Sequence, residues 1–317
     1  MRHALNLAVL IGMLVFPARS APMLEFQGLS NASAAVRIGE DRFLVGCDER
    51  NELLLYRYED KRPLAEFETS PWLNLTTRNG EVDFEGAARL GDVAFWLGSH
   101  SRNGSGEYRP DRQRLLAIRL REEQGKLSLE PVGKPVTDLL HQLSTTPALE
   151  RYQLDRASRI APEKPGGLNF EGLAEGPHES LLLGLRSPLY EERALVIPLQ
   201  NPLETVQGKP ARFGAPRLLD LDGQGIRDLL WTGREYYIIG GSPHSGGKNT
   251  LYRWKGGEAE PRPLKVHLPK NLNPEALVLF ETEGRRRLLL LSDDGSRGLN
   301  HDGGKSPRTF RAFWVEL

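Results

Sequence analysis

The chain has 317 residues, and its 42 basic and 42 acidic side chains give a formal net charge of zero at pH 7. This balance lacks the basic character that attracts nucleic acids or anionic membranes, so we predict no nucleic-acid partner. Because there is one cysteine, an intramolecular disulfide is excluded and burial of apolar side chains has to stabilise the fold.

The N-terminal residues predict an export signal. Arg2 and His3 precede an apolar run at residues 5–16, which is too short to span a bilayer, and small residues follow it. We predict cleavage after Ser20, so that residues 1–20 are a signal peptide and residues 22–317 form a single domain. The mature protein is then expected to be periplasmic or secreted, without stable membrane insertion. An uncleaved membrane anchor is the alternative.

A short sequence motif, seen most clearly as Asn169-Phe170-Glu171-Gly172 and called here the repeated phrase, recurs along the mature chain. Its copies begin at residues 31, 83, 169, 222 and 273, and an apolar strand ending in small or polar residues follows each one. The third residues of the copies lie at positions 33, 85, 171, 224 and 275, at intervals of 52, 86, 53 and 51 residues. A four-stranded propeller blade needs roughly 40 to 50 residues. We therefore predict an all-β fold, a β-propeller of five blades, with six blades as the second choice.

The one long interval contains a segment without strand alternation. Residues 136–160 have apolar residues at helical spacing and lack β-branched runs, which favours a helical insertion between blades 2 and 3 over a sixth blade. Within blade 2 we expect residues 93–98 to form the inner strand, which lines the channel. The last blade ends at the C terminus without an outer strand, and residues 23–26 can supply one and close the ring.

The repeated phrases are expected to meet at one mouth of the central channel. The third residues of four copies are Glu85, Glu171, Gln224 and Glu275. Carboxylates there repel one another unless Ca²⁺ or another divalent cation, salt bridges to arginine, or raised pKa values balance them. The predicted ligands of such a cation are Glu85, Glu171, Glu275, Asp83, Asn169 and Asn273. Alternatively, each copy only caps a turn, with its carboxylate accepting backbone hydrogen bonds.

Different polar residues follow the apolar strand of each repeat, a variation that favours a functional site over a repeated scaffold. His100 and His244 are candidate general bases, which Asp293 or Asp294 would orient if the channel brings them together. The candidate substrate-binding residues are Ser99, Arg102, Arg186 and Arg227, the last two as anion clamps. Taken singly, each histidine is also explained as a hydrogen-bonding residue of a loop.

The ordered set of motifs resembles a known family. These motifs are Asp83-Phe84-Glu85-Gly86-Ala87, Gly98-Ser99-His100-Ser101, Asn169-Phe170-Glu171-Gly172-Leu173-Ala174, Gly225-Ile226-Arg227-Asp228 and Ser292-Asp293-Asp294-Gly295. They resemble the bacterial family of unknown function DUF3616 over nearly all of the mature chain. The resemblance implies an exported or soluble propeller-like protein, and it supplies no catalytic residues. More distantly, the glutamate-glycine phrase is similar to that of the esterase-like phytases, another bacterial β-propeller family, although this chain lacks the lysines that a phytate pocket would want.

Two functions are compatible with these features. The first is a metal-assisted hydrolase of a phosphoester, ester or lactone at the channel mouth. The second is a non-catalytic propeller, expected to be monomeric, that binds a small-molecule or polymer ligand or a partner there. Metal-dependent turnover would support the first, and ligand stabilisation without turnover would support the second.

Overall fold

Five antiparallel sheets of four strands each make up the described part of the chain. The structure is a computed structural model that describes residues 23–47, 49–282, 284–295 and 308–317. The predicted signal peptide and its cleavage site lie outside these residues. The sheets follow one another around a ring, so the predicted all-β, five-bladed propeller is confirmed.

Each blade is an antiparallel meander, except that the last one borrows a strand from the N terminus. Blade 1 contains β2 (Ala34–Ile38), β3 (Arg42–Gly46), β4 (Glu52–Arg57) and β5 (Ala65–Glu68). Blade 2 contains β6 (Phe84–Leu90), β7 (Val93–Gly98), β8 (Leu115–Glu123) and β9 (Lys126–Pro131). Blade 3 contains β10 (Asn169–Gly176), β11 (Ser180–Ser187), β12 (Ala194–Leu199) and β13 (Arg217–Leu219). Blade 4 contains β14 (Gly225–Trp231), β15 (Tyr236–Gly241), β16 (Thr250–Trp254) and β17 (Arg262–Pro263). Blade 5 contains β18 (Pro274–Thr282), β19 (Arg285–Ser292), β20 (Thr309–Glu316) and β1 (Leu24–Gln27).

The N-terminal strand closes the ring. β1 pairs antiparallel with β20, with Leu24 opposite Ala312 and Gln27 opposite Thr309, so the predicted closure is confirmed. This pairing covers the edge that β20 would otherwise expose. Phe26 of β1 stacks on Phe310, with ring centroids 5.1 Å apart, and meets the edges of two aromatic rings from blade 1. The closing strand therefore also joins the cores of the first and last blades.

The innermost strands differ from those expected. β2, β6, β10, β14 and β18 contact one another in turn around the axis, so the strands that carry the repeated phrase line the channel. The expectation that residues 93–98 form the inner strand is wrong, because this strand (β7) lies between β6 and β8. All six residues of β7 are buried because it is central in its sheet. The small residues of β6 suit the narrow axis, where a Cβ on Gly86 would lie 2.9 Å from the Cβ of Leu173.

Short helical segments occupy some of the connections. The helices are α1 (Leu139–Ser144), α2 (Leu154–Ala157) and α3 (Pro202–Val206), and the 3-10 segments are Ser70–Trp72, Pro110–Arg112, Pro147–Tyr152 and Pro177–Glu179. α1 and α2 lie between blades 2 and 3, where Leu139, Leu143 and Leu154 pack into the core that these blades share. In the described ranges, every helix is too short or too polar to cross a bilayer.

We predict that Phe26→Ala lowers the free energy of unfolding by about 3–5 kcal/mol, the usual effect of deleting a buried aromatic ring. Phe26 is 2% exposed and contacts aromatic rings on both sides of the closure. Phe67→Ala is the matched control, because Phe67 is half-buried on the outer strand of blade 1. Urea denaturation of both variants measures the difference. Equal losses of stability would show that the closing strand has no special role.

Candidate functional site

Four of the five innermost strands contain a register shift at the same place. In β6, Phe84 pairs with Gly98 and Gly86 with Leu97, so Glu85 is an extra residue between two pairs. The extra residues of the other three strands are Glu171, Arg227 and Glu275. β2 pairs without interruption. Bulges re-aim side chains and are frequent beside active sites. We call Glu85, Glu171, Arg227 and Glu275 the bulge ring.

The bulge corrects the sequence alignment of blade 4. Gln224 was expected to take the position of Glu171 in this blade, but the equivalent residue is Arg227. Gln224 precedes β14, and its amide donates a hydrogen bond to the carbonyl oxygen of Lys248 over 2.7 Å. The predicted group of carboxylates therefore contains a guanidinium group as well.

Arg227 joins the carboxylates of the two neighbouring blades. Its guanidinium forms an ion pair with Glu275, and its Nε lies 3.4 Å from Oε2 of Glu171. Its Nη1 also donates to Oδ1 of Asn273 over 3.0 Å. Burial lowers the pKa of Arg227, and the charge of Glu171 opposes that effect. The acid on either side thus keeps this buried cation charged.

Glu171 contacts a second arginine. Nη1 of Arg186 donates to Oε1 of Glu171 over 2.8 Å, and the amide of Asn169 donates to the same oxygen over 2.7 Å. The other nitrogens of Arg186 donate to the carbonyl oxygens of Ser242 and His244, which fixes its position. The charge of Glu171 raises the pKa of Arg186. Of the three ways to balance the acids, salt bridges to Arg186 and Arg227 are present in the structure.

Two buried oxygen atoms beside these arginines lack a hydrogen-bond donor. Within the described residues, Oε2 of Glu171 and Oδ1 of Asn169 have no hydrogen-bond partner. The two residues are only 2% and 6% exposed. The 3.4 Å approach of Arg227 to Glu171 is an ion pair without hydrogen-bond alignment. Buried acceptors are nearly always satisfied in folded proteins, so these two atoms are expected to receive donors from a ligand or from water.

The predicted metal ligands have other contacts in this arrangement. Asp83, Glu171, Glu275 and Asn273 each contact an arginine. Among residues 23–47, 49–282, 284–295 and 308–317, no three His, Cys, Asp or Glu side chains are placed to hold one ion. The predicted cation site stays a prediction, and its ligands would have to include amide oxygens or water.

Asp83 is a buried acid beside the bulge ring. Its Oδ2 pairs with Nη1 of Arg112 over 2.8 Å, and its backbone has a φ of +61°. Burial raises the pKa of Asp83 to about 6, although Arg112 opposes the effect, and the charge of Glu171 raises it further. A left-handed φ at a residue with a side chain is uncommon and is frequent at functional sites. Burial therefore moves the titration of Asp83 from the ordinary carboxyl range to about pH 6.

His100 follows Ser99, whose backbone N–H donates to the carbonyl oxygen of Asp83 over 3.0 Å, and its backbone also has a left-handed φ, of +55°. Its Nδ1 contacts the carbonyl oxygen of Gly98 over 2.8 Å, and its ring meets the edge of Phe170 at 5.5 Å. Burial lowers the pKa of His100 to about 4, so the ring is neutral at pH 7. With Nδ1 donating to Gly98, Nε2 can accept a proton, and it has no partner within the described residues.

The other predicted site residues are held by hydrogen bonds, several of which connect them to the bulge ring or to the Asp83–Arg112 pair. Asp294 pairs with Arg311, and Asp293 accepts hydrogen bonds from Asn273 and Gly295. The backbone carbonyl of His244 accepts from Arg186. The hydroxyl groups of Ser99 and Ser101 are 2.9 Å apart, and the guanidinium of Arg102 donates to Ser158 and Gly106. The hydrogen bonds that the structure describes join neither histidine to either aspartate.

Three residues of the site had no signal in the sequence. Arg112 balances Asp83, and Arg311 balances Asp294, over separations of many residues. Asp228, the residue after the bulge in β14, accepts hydrogen bonds from the backbone N–H groups of Leu229 and Leu277. It thereby ties blade 4 to blade 5, and burial raises its pKa. Only the folded ring brings these partners together.

A five-bladed β-propeller with buried acids and arginines at one end of its channel defines the class of this protein. The chain belongs to the family described as Protein of unknown function (DUF3616), which matches residues 121–293. The distant similarity to esterase-like phytases stays a prediction. Comparison with curated proteins finds no match.

Several solved structures have a similar chain course. The glutaminyl cyclase of Myxococcus xanthus is 12% identical, with a TM-score of 0.46 over 93% of this chain and 95% of its own. The PQQ-bound aldose sugar dehydrogenase of Streptomyces coelicolor is 11% identical, with a TM-score of 0.43 over 94% of this chain and 100% of its own. The GH43 protein BlXynB of Bacillus licheniformis is 13% identical, with a TM-score of 0.47 over 92% of this chain and 59% of its own. None of them assigns an activity to this chain.

We predict that Arg227→Gln destabilises the protein by about 3–5 kcal/mol, because it leaves buried carboxylates without their cation. The matched control is Arg193→Gln, which removes the same group from an ion pair with Glu260 whose side chains are 34% and 60% exposed. An exposed pair contributes about 0–1 kcal/mol. Urea denaturation compares the two variants. A loss in Arg227→Gln no larger than in the control would contradict the central role of this arginine.

Asp83 should make stability depend on pH between about 4 and 6. The unfolded carboxyl loses its proton near pH 3.9, whereas the folded one keeps it to about 6. The free energy of unfolding therefore decreases as the pH rises through this window. Asp83→Asn removes the titration and tolerates the left-handed φ, so this variant should lose less stability between pH 4 and pH 7 than the wild type does. Other buried acids titrate in both proteins, so parallel pH profiles in urea denaturation would disprove the assignment to Asp83.

Proposed function

We propose that the bulge ring binds a small ligand rich in hydrogen-bond donors, such as a polyol or an amine. The observation that carries this proposal is the pair of buried acceptors, Oε2 of Glu171 and Oδ1 of Asn169, which have no donor within the described residues. Donors from a ligand would satisfy both atoms and recover the stabilisation that each lost on burial. This corresponds to a binding propeller, exported and monomeric, as the sequence predicted.

The charges of the site support a neutral or cationic ligand that donates hydrogen bonds. Four carboxyl groups that are at least partly buried, those of Glu85, Glu171, Glu275 and Asp293, act on the arginines of this end of the channel, in addition to the exposed Glu163. Arg186 and Arg227 are the two cations in this group, which leaves a formal excess of two negative charges over these arginines and the four at least partly buried carboxyl groups. Both arginines already contact Glu171, so an anionic ligand would have to displace a carboxylate. Neutral or cationic ligands do not meet this obstacle.

Hydrolysis of an ester, lactone or phosphoester is the second candidate, and the observation that favours it is the burial of Asp83, which raises the pKa of this acid beside Arg112. Burial raises the pKa of Asp83 to about 6, and the charge of Glu171 acts on it. A carboxyl group whose pKa is raised toward the working pH is suited to general acid catalysis. In this candidate, Oε2 of Glu171 accepts a proton from the attacking water and Asp83 protonates the leaving oxygen.

A divalent cation would take its place at the same two acceptors. Carboxylate and amide oxygens are the ligands that Ca²⁺ and Mg²⁺ prefer, and Glu171 and Asn169 supply one of each. Two protein oxygens are few for an ion that takes about six to eight ligands, so water would complete the shell. We retain Ca²⁺ as a proposed ligand on this basis.

Thermal unfolding in the presence of candidate ligands tests the proposal. We predict that myo-inositol or ethanolamine raises the melting temperature by a few degrees at concentrations about 100-fold above its Kd. Glu171→Gln should abolish the rise in melting temperature, because it replaces an acceptor oxygen with an NH₂ group, which cannot accept a hydrogen bond from the ligand. Glu260→Gln, at an exposed position, should retain it. This pair also controls for the general stabilising effect of polyols.

The same assay separates the alternatives. A rise with CaCl₂ that EDTA reverses, without any effect of the organic ligands, would replace the proposal with a cation site. No rise with any of these additives would return the glutamates to a structural role. Hydrolysis of p-nitrophenyl acetate or of a γ-lactone that is lost in Asp83→Asn would establish the second candidate, and absence of turnover would reject it for those substrates.

A further inference from the structure

The end of the channel opposite the bulge ring contains a cavity with a volume of about 320 Å³. All five innermost strands contribute to its wall, with residues 35–37, 87–89, 173–175, 230–232 and 277–279. In β6, β10 and β18 these residues follow the bulge by two to four positions, which is roughly 7–13 Å along the strand. We call this space the far cavity. It is separate from the bulge ring, although both lie on the same axis.

The wall of the far cavity is largely apolar. Val36, Ala88, Leu173, Leu230 and Leu279 line it. Ligand sites of proteins are typically concave, mostly apolar spaces of about 300–1,000 Å³ with a few placed polar groups. The volume of the far cavity corresponds to roughly ten water molecules at about 30 Å³ each. A ligand that fills it would have about ten non-hydrogen atoms, mostly carbon.

Two arginines supply the polar groups of the wall. Arg89 donates to the carbonyl oxygens of Arg37 and Gly91 over 2.7 and 2.9 Å, and its buried Nε has no partner within the described residues. Arg37 donates to the carbonyl oxygen of Gly39 over 2.7 Å. Within the described residues, both guanidinium groups therefore donate hydrogen bonds to uncharged backbone carbonyl oxygens. Burial lowers the pKa of Arg89, and the neighbouring charge of Arg37 lowers it further.

The acidic groups nearby leave this positive charge largely unbalanced. Asp92 acts on Arg89 but forms its own ion pair with Arg119, over 3.0 Å. Glu175 is the one acid among the residues that line the far cavity, opposite two arginines. An anionic group would accept from the unpartnered Nε of Arg89 and balance the excess charge. The apolar wall requires that the rest of the ligand be hydrocarbon.

We propose that the far cavity binds an amphiphilic monocarboxylate of medium chain length. Its carboxylate pairs with Arg89 and Arg37, and its hydrocarbon chain lies against Leu173, Leu230 and Leu279. The ligand of the bulge ring has the opposite chemistry, so the two ends of the channel select different molecules. This site is independent of the function proposed for the bulge ring.

Calorimetric titration with sodium octanoate tests this inference, because octanoate has the size, charge and chain that the cavity requires. We expect saturable binding with a stoichiometry of one. Arg89→Gln and Arg37→Gln should each weaken it about tenfold or more, because each removes a charge-assisted hydrogen bond. Arg119→Gln is the matched control, since it removes a nearby positive charge from outside the wall and should leave the affinity within about twofold.

The controls make the test decisive. 1-Octanol and octylamine, which keep the chain and replace the carboxylate, should bind at least tenfold more weakly than octanoate. Equal binding of all three would overturn the proposal, as would the absence of octanoate binding at millimolar concentration. Arg89→Gln also removes two internal hydrogen bonds, so its melting temperature is measured and Arg37→Gln, at a half-buried position, provides the second test. Glu171→Gln should bind octanoate normally at a temperature below its melting transition, and a loss of binding by the folded variant would place the ligand at the bulge ring instead.

Discussion

Charge balance at the channel axis is the constraint on which the rest of this structure depends. Four β-bulges bring three carboxylates and one guanidinium to the same level of a narrow channel, where Glu171, Arg227 and Glu275 are buried. Removing one partner of a buried ion pair is far more destabilising than removing an exposed one. Arg227 and Arg186 compensate Glu171 and Glu275, and Arg112 compensates Asp83 nearby. Salt bridges to arginine are therefore the kind of compensation that the structure describes.

The same strands make the two ends of the channel chemically different. At the bulge, one extra residue turns a charged side chain toward the axis, whereas beyond it the regular alternation resumes and small or branched apolar residues face the far cavity. Gly172 is part of this arrangement, because a Cβ there would lie 2.6 Å from Ile226 of the next blade. Close packing of the innermost strands keeps the channel narrow enough for each end to act as a separate site.

The sequence predicted the ring better than it predicted the site. Regular intervals between the phrases and the missing outer strand of the last blade were sufficient for five blades and their closure, because both follow from local patterning. The position of Arg227 was missed because a bulge shifts the register without leaving a signal in the sequence, so Gln224 was aligned instead. Likewise, the pairing of Asp83 with Arg112 and of Asp294 with Arg311 arises from contacts between distant segments. Local spacing contains no information about such partners.

The arginine in blade 4 makes the bulge ring asymmetric, which distinguishes it from a repeated scaffold. If all four bulges carried glutamate, symmetry would favour a central cation or a shared proton. Because Arg227 occupies one of the four positions, the positive charge lies on the blade-4 side of the channel. Its two Nη groups contact the carboxylate of Glu275 and the amide oxygen of Asn273. Nε of Arg227 approaches Glu171 without forming a hydrogen bond. Oε2 of Glu171 and Oδ1 of Asn169, both on blade 3, are therefore buried acceptors without a donor among the described residues. A ligand that supplies donors is therefore expected on the blade-3 side of the channel, between Arg186 and Arg227, and not on the axis itself.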